Sequence, residues 1–147
     1  MSASQNMQLL GGIFDFLGGM AQQAQARQQA RNIEYMAGIN KANFENNAAL
    51  EVQRMERLAE SSVATIESTY AASGVSVSEG SALRVAASEA AAAAGTISNY
   101  KRNADVQARM IQYNASLDAF NARAAGASAA IAGTGSLIGS SAQFLKE

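Results

Sequence analysis

Tyr70-Ala71-Ala72-Ser73-Gly74-Val75-Ser76-Val77-Ser78-Glu79-Gly80-Ser81 is the one stretch of this 147-residue chain, before its C-terminal tail, that reads as a turn. Gly74 can adopt the left-handed conformation that closes a helix. Val75-Ser76-Val77 is short and β-branched, and Ser76-x-x-Glu79 has the spacing of a capping box, with Ser78 or Ser81 able to cap equally well. A second helix is therefore expected to start between Val77 and Ala82. The turn is assigned to residues 73–81, with Ser73, Gly74, Gly80 and Ser81 as its defining positions.

Upstream of the turn, residues 21–72 read as one helix. Phe44, Ala48, Val52, Met55, Ala59, Val63, Ile66 and Tyr70 recur at spacings of three and four, a single apolar stripe. Glu51, Glu56 and Glu60 flank that stripe and are expected to be solvated helix edge. Downstream, residues 82–123 form the second helix. Its stripe is read through Leu83, Ala86, Ala90, Ala94 and Ile97, then Val106, Met110, Tyr113, Leu117 and Phe120. Gly95 has no second turn residue beside it, which predicts a kink or a close helix contact and not a break.

Folding the chain about residue 77 pairs apolar with apolar positions. Tyr35 then meets Phe120, Phe44 meets Met110 or Ile111, Met55 meets Tyr100, and Glu45 comes near Arg109. The expected fold is all-α, a long antiparallel helical hairpin of coiled-coil type that assembles into an oligomer.

Composition agrees with that fold and narrows the chemistry. The chain has 33 Ala, the strongest helix former, and no Pro, where average usage predicts about seven. It has no Cys, His or Trp. Disulfides, thiolate chemistry, most zinc sites and the usual general base go with them. No nucleophile elbow, phosphate loop or metal-ligand spacing occurs. No enzyme activity and no cofactor are expected. Ala buries little area at about 25 cal/mol per Å², so an isolated pair of helices would be marginal and partners are expected.

Charge is distributed unevenly. The net charge is −1, yet before Asn32 the only charges are Asp15, Arg27 and Arg31, and after Arg123 only Lys146 and Glu147. Residues 1–20 contain the apolar run Leu9–Met20, with glycine pairs Gly11-Gly12 and Gly18-Gly19 seven residues apart around Ile13, Phe14, Phe16 and Leu17. Ala24-Gln25-Ala26 resembles a signal cleavage site, but no Lys or Arg precedes the run, which argues against a signal peptide.

Residues 124–147 begin with 22 uncharged positions, Ala124 to Leu145, long enough to cross a bilayer as a helix. Within them Gly135, Leu137, Ile138 and Gly139 carry the small-xxx-small spacing that lets helices approach closely. The stretch is rich in Ala, Gly and Ser, and a free-standing anchor is normally more hydrophobic. Two readings of the paired ends stay open: conditional contact with a membrane, or tight helix packing inside a soluble assembly. Arg54, Arg57, Lys101, Arg102 and Arg109 fall near one another in the folded register. A ring of copies would line a channel with them for non-specific DNA contact; salt-bridged helix surface is the favoured reading.

The Ala/Gln/Asn/Arg-rich helix, Tyr70-Ala71-Ala72-Ser73-Gly74-Val75, Glu79-Gly80-Ser81, and a second helix bearing Tyr100, Asn103 and Tyr113 together resemble the small internal virion, or ejection, proteins of short-tailed phages. The resemblance covers roughly Ala21 to Ala125. It implies a protein of the virion interior or tail that passes to the host cell envelope on infection. Its partners would be copies of itself, portal, tail or further ejection proteins, phage DNA and the envelope membrane, and no catalytic residues come with it. A static ring subunit of the tail or portal is the alternative. A secreted bacterial helical hairpin is a third, although that class resembles a Trp-x-Gly turn and this chain has no Trp.

Overall fold

The structure is a computed structural model that describes the backbone of residues 3–76 and 78–144 and the side-chain surroundings of residues 10–76 and 78–135. Two helices, α1 (Ala3–Ala72) and α2 (Gly80–Phe144), pack against each other as a hairpin. α1 ends at Ala72, where the sequence places the start of the turn, whereas α2 begins at Gly80, so Gly80 and Ser81 of the expected 73–81 turn belong to the helix. Val75 N–H donates to the Tyr70 carbonyl and Gly74 N–H to the Ala71 carbonyl, each at 3.1 Å. That pair of bonds, with Gly74 at φ +76°, is a Schellman closure, which satisfies carbonyls that the end of a helix otherwise leaves open. The Ser73 hydroxyl donates to the Thr69 carbonyl at 2.9 Å and ties down the last turn further.

A side chain at Gly74 would be strained by the positive φ although space around it is open. Gly74→Ala is therefore expected to lower stability by about 1–2 kcal/mol. The urea midpoint measures this, and an unchanged midpoint would mean that the left-handed cap does not form. The start of α2 corrects one expectation. Glu79 precedes the helix, so Ser76-x-x-Glu79 does not occupy the capping-box positions, and the Ser76 hydroxyl instead bonds that of Ser78 at 2.9 Å. Gly80, at φ +71°, supplies the backbone reversal.

The chain divides into two compact units, one comprising Asn40–Ile111 and the other Met1–Ile39 with Gln112–Glu147. In the Asn40–Ile111 unit, α1 turns in the stripe read from the sequence. Ala48 and Val52 are buried, and Phe44, Met55, Ala59, Val63, Ile66 and Tyr70 are half-buried. The face it meets on α2 is made mainly of alanine: Ala82, Ala86 and Ala108 are buried, Ala93, Ala104, Ile97, Tyr100 and Ile111 half-buried. Large side chains on one helix are accommodated by small ones on the other.

The inward positions repeat every eleven residues in this unit, as in Phe44, Met55 and Ile66, or Ala86, Ile97 and Ala108. In the other unit they repeat every seven, through Gly12, Gly19, Ala26 and Ile33 on α1 and Ala119, Gly126 and Gly133 on α2. A seven-residue period favours left-handed winding of a helix pair and an eleven-residue period right-handed winding. The change of period falls within a few residues of the division between the units, which gives that division a physical reason.

The stripe expected on α2 is only partly the packed one. Val106, Met110, Tyr113, Leu117 and Phe120 are all exposed, Leu83 with them, and Ala90 and Ala94 face solvent too. The inward face lies around the helix from them. Reflection about residue 77 fails for two of its pairings, although Phe44, Ile111, Met55 and Tyr100 do turn inward. Tyr35 is 70% and Phe120 66% exposed, so the two do not meet in a core. Glu45 pairs with Lys41 at 3.7 Å and Arg109 with Asp105 at 2.9 Å, each one turn away on its own helix. Gly95 lies within an unbroken α2, and a Cβ there would touch nothing, so it marks no close helix contact.

Candidate assembly interface

In the unit that holds the chain ends, the two helices are packed by their smallest residues. A Cβ added at Gly126 would collide with the Ala26 methyl and lie 3.3 Å from the Gln23 Cα. One at Gly133 would come within 2.9 Å of the Asp15 carbonyl oxygen, and one at Gly19 within 3.0 Å of the Ala129 carbonyl oxygen. Reflection about residue 77 would have set Gly126 opposite Gln28 and Gly133 opposite Ala21. The register is shifted because backbone contact through Gly and Ala, and not the matching of large apolar residues, fixes it. Arg123 Nη2 donates to Glu34 Oε1 at 2.8 Å and closes one side of this pairing. That ion pair is about half exposed, so it contributes about 0–1 kcal/mol and serves mainly to select register.

Close backbone approach leaves little room between the helices for large side chains. Of the N-terminal residues singled out, Gly12 and Gly19 are buried and Phe16 half-buried, whereas Ile13, Phe14 and Leu17 are exposed and Gly11 and Gly18 stand in open space. One glycine of each pair is therefore an interface residue and the other is not. Leu10 and Met20 join the exposed set, as does Ile131 on α2. Gly135 also meets open space, and the close approach used within the chain is at Gly126 and Gly133. Leu137, Ile138 and Gly139 continue α2, but their surroundings lie outside the described residues. No helix among the described residues is long and apolar enough to cross a membrane.

The five cations considered for a DNA channel all belong to the Asn40–Ile111 unit and are all exposed. Arg54 pairs with Glu51 at 3.7 Å, Lys101 with Glu56 at 3.8 Å, and Arg109 with Asp105. Arg102 donates to the Asn99 side-chain oxygen at 3.3 Å. Among the described residues Arg57 and Arg102 have no carboxylate of this kind, so three of the five cations are neutralised by ion pairs and two are not.

The same unit carries an open groove of about 720 Å³ over Val63, Ala93, Ala94 and Ile97. Glu56, Glu60 and Glu67 rim it, so the acidic positions do edge a depression that the sequence did not predict. Ser98 and Lys101 also line it, the latter paired with Glu56. Among the described residues no three acidic side chains are arranged to hold a metal ion.

This geometry defines a class: an all-helical hairpin in which Ala and Gly line much of the interface and many large apolar residues, those of α2 above all, are exposed. No family model, no curated protein and no solved structure matches the chain.

Proposed function

We propose that this chain is an internal virion or ejection protein of a tailed phage, one subunit of an oligomeric helical conduit for genome delivery across the host envelope. One observation carries the reading. Leu10, Ile13, Phe14, Leu17 and Met20 of α1 and Ile131 of α2 are exposed on helices whose Gly and Ala faces are already used against each other. An apolar helix surface on that scale is covered either by other subunits or by lipid. The near absence of charge in these stretches, with Asp15 alone between Met1 and Ala26, suits both. The resemblance of the turn and flanking helices to short-tailed phage ejection proteins supplies the biological setting. Its alternative is a static tail or portal ring subunit, in which neighbouring chains cover the same surface.

Flotation and dye release with vesicles of phosphatidylethanolamine and phosphatidylglycerol separate the two. The intact chain is expected to float and to release dye. A Phe14→Asp, Leu17→Asp variant, altered only at exposed positions, is expected to lose both while keeping its helical circular dichroism. If the intact chain fails to bind vesicles across pH and lipid composition, the conduit reading falls and the static subunit takes its place.

A further inference from the structure

The outer face of α2 in the chain-end unit carries a second helix-binding seam. Tyr113, Leu117, Phe120, Ala124, Ala127 and Ile131 follow spacings of four, three, four, three and four. Each of Ala115, Ala122 and Ala129, the half-buried positions facing α1, lies two residues beyond a seam position and so about 200° around the helix. Tyr113, Leu117, Phe120 and Ile131 are 64%, 43%, 66% and 71% exposed. The face turned away from α1 thus follows the heptad spacing of a coiled-coil core, exposed at Tyr113, Leu117, Phe120, Ala124 and Ile131 and half-buried at Ala127.

We infer that this seam docks a second copy of the chain, with the two α2 helices parallel and in register. This rests on the self-assembly part of the function proposed above and names the surface through which it occurs. The period fits a helical partner, since a left-handed helix pair requires this alternation of three and four. The stripe is also narrow, bordered by Asn114 and Asn121 on one edge and by Ser116 and Arg123 on the other. Two rings of 150–250 Å² and two aliphatic side chains at these exposures leave roughly 500 Å² of apolar surface. That is more than half of the roughly 800 Å² that each side of a standard interface buries, before the bordering polar groups are counted.

Charge decides the orientation. Parallel pairing sets the Ser116 and Arg123 edge of one helix against the Asn121 and Ser128 edge of the other, and the guanidinium meets neutral hydrogen-bonding groups. Antiparallel pairing sets the arginine-bearing edge against its own copy. The parallel arrangement alone avoids like-charge contact, and it stacks Ala124 on Ala124 where close approach is easiest.

Sedimentation equilibrium of the full chain and of Phe120→Glu tests the seam. The side chain is exposed in the single chain, so the variant should keep its helical circular dichroism while self-association weakens about 30-fold or more. The chain has no Cys, so Ala124→Cys and Asp118→Cys report orientation. Mild oxidation should link Ala124→Cys chains in pairs and leave Asp118→Cys unlinked. Equal association of wild type and Phe120→Glu would overturn the seam, as would a monomeric wild type or equal linking by the two cysteine variants. Loss of vesicle flotation in Phe120→Glu without any change in association would also overturn it, by assigning the face to lipid. Vesicle binding that fails while the Phe120 effect holds would remove the conduit reading and leave the seam standing.

Discussion

Gly126→Leu is expected to separate the helices of the chain-end unit. The first carbon of the new side chain already collides with the Ala26 methyl and crowds the Gln23 Cα, and those atoms belong to a helix that cannot bend away locally. Relief requires the two helices to move apart along Gly19, Ala129 and Gly133, where backbone meets backbone. Overpacking of this kind costs about 3 kcal/mol, a fall in Tm on the order of 10 °C for a chain of this length. Thermal unfolding gives the size. Amide exchange gives the place, faster between Ala115 and Gly133 and unchanged at Ala86–Ala108. Gly95→Ala is the control, because its surroundings are open and the better helix former should add up to about 1 kcal/mol. If both substitutions stabilise alike, helix propensity governs position 126 and the close packing is wrong.

The second large effect reverses the usual ranking of side chains by size. Ala108 is 2% exposed and Met110, two residues on, is 55% exposed. Ala108→Glu places a carboxylate between the helices of the Asn40–Ile111 unit with no cation supplied for it. A loss of about 3 kcal/mol or more is expected, the cost of a buried charge without its partner. Met110→Glu, measured at a concentration below self-association, should change stability by no more than about 0.5 kcal/mol. Urea unfolding of the two variants side by side makes the comparison. A larger loss at Met110 than at Ala108 would put the large residues of α2 in the core and overturn the register described here.

Both results bear on the function proposed. A chain whose described residues include no large, fully buried side chain draws little stability from its own interior. In the assembly proposed above, association would contribute to folding, and the outward Leu, Phe, Tyr and Ile side chains would be its means.

How much of this was legible differs between the two helices. The inward stripe of α1 from Phe44 to Tyr70 was, because there the apolar periodicity and the packed face coincide. On α2 hydropathy pointed to Val106, Met110, Tyr113, Leu117 and Phe120, which are exposed. The signal that would have found the true face is the run of Ala86, Ala93, Ala104, Ala108, Ala115 and Ala119, in phase with Gly126 and Gly133. Those small residues score weakly on any hydrophobic scale, yet they decide how near two helices can come. The glycine pairs at 11-12 and 18-19 were visible as a seven-residue repeat, but not which member of each faced inward. That the central cations are salt-bridged helix surface was the favoured reading of the sequence, but which carboxylates Arg54, Lys101 and Arg109 use, one turn away or across the helix pair, was not legible.

The sequence by itself determined two helices and one turn, because those depend on local terms: abundant Ala, no Pro, and one Ser-Gly pair able to reverse the chain. Only the tertiary structure decided which face of α2 lies inside. In the Asn40–Ile111 unit α1 already brings Phe44, Met55, Val63 and Ile66, and the volume left opposite them admits mainly alanine. In the chain-end unit both helices offer Gly and Ala, so the backbones meet and most large side chains, though not Phe16 and Ile33, turn outward. That choice is set by the volume shared between two surfaces, a quantity that neither helix carries in its own sequence.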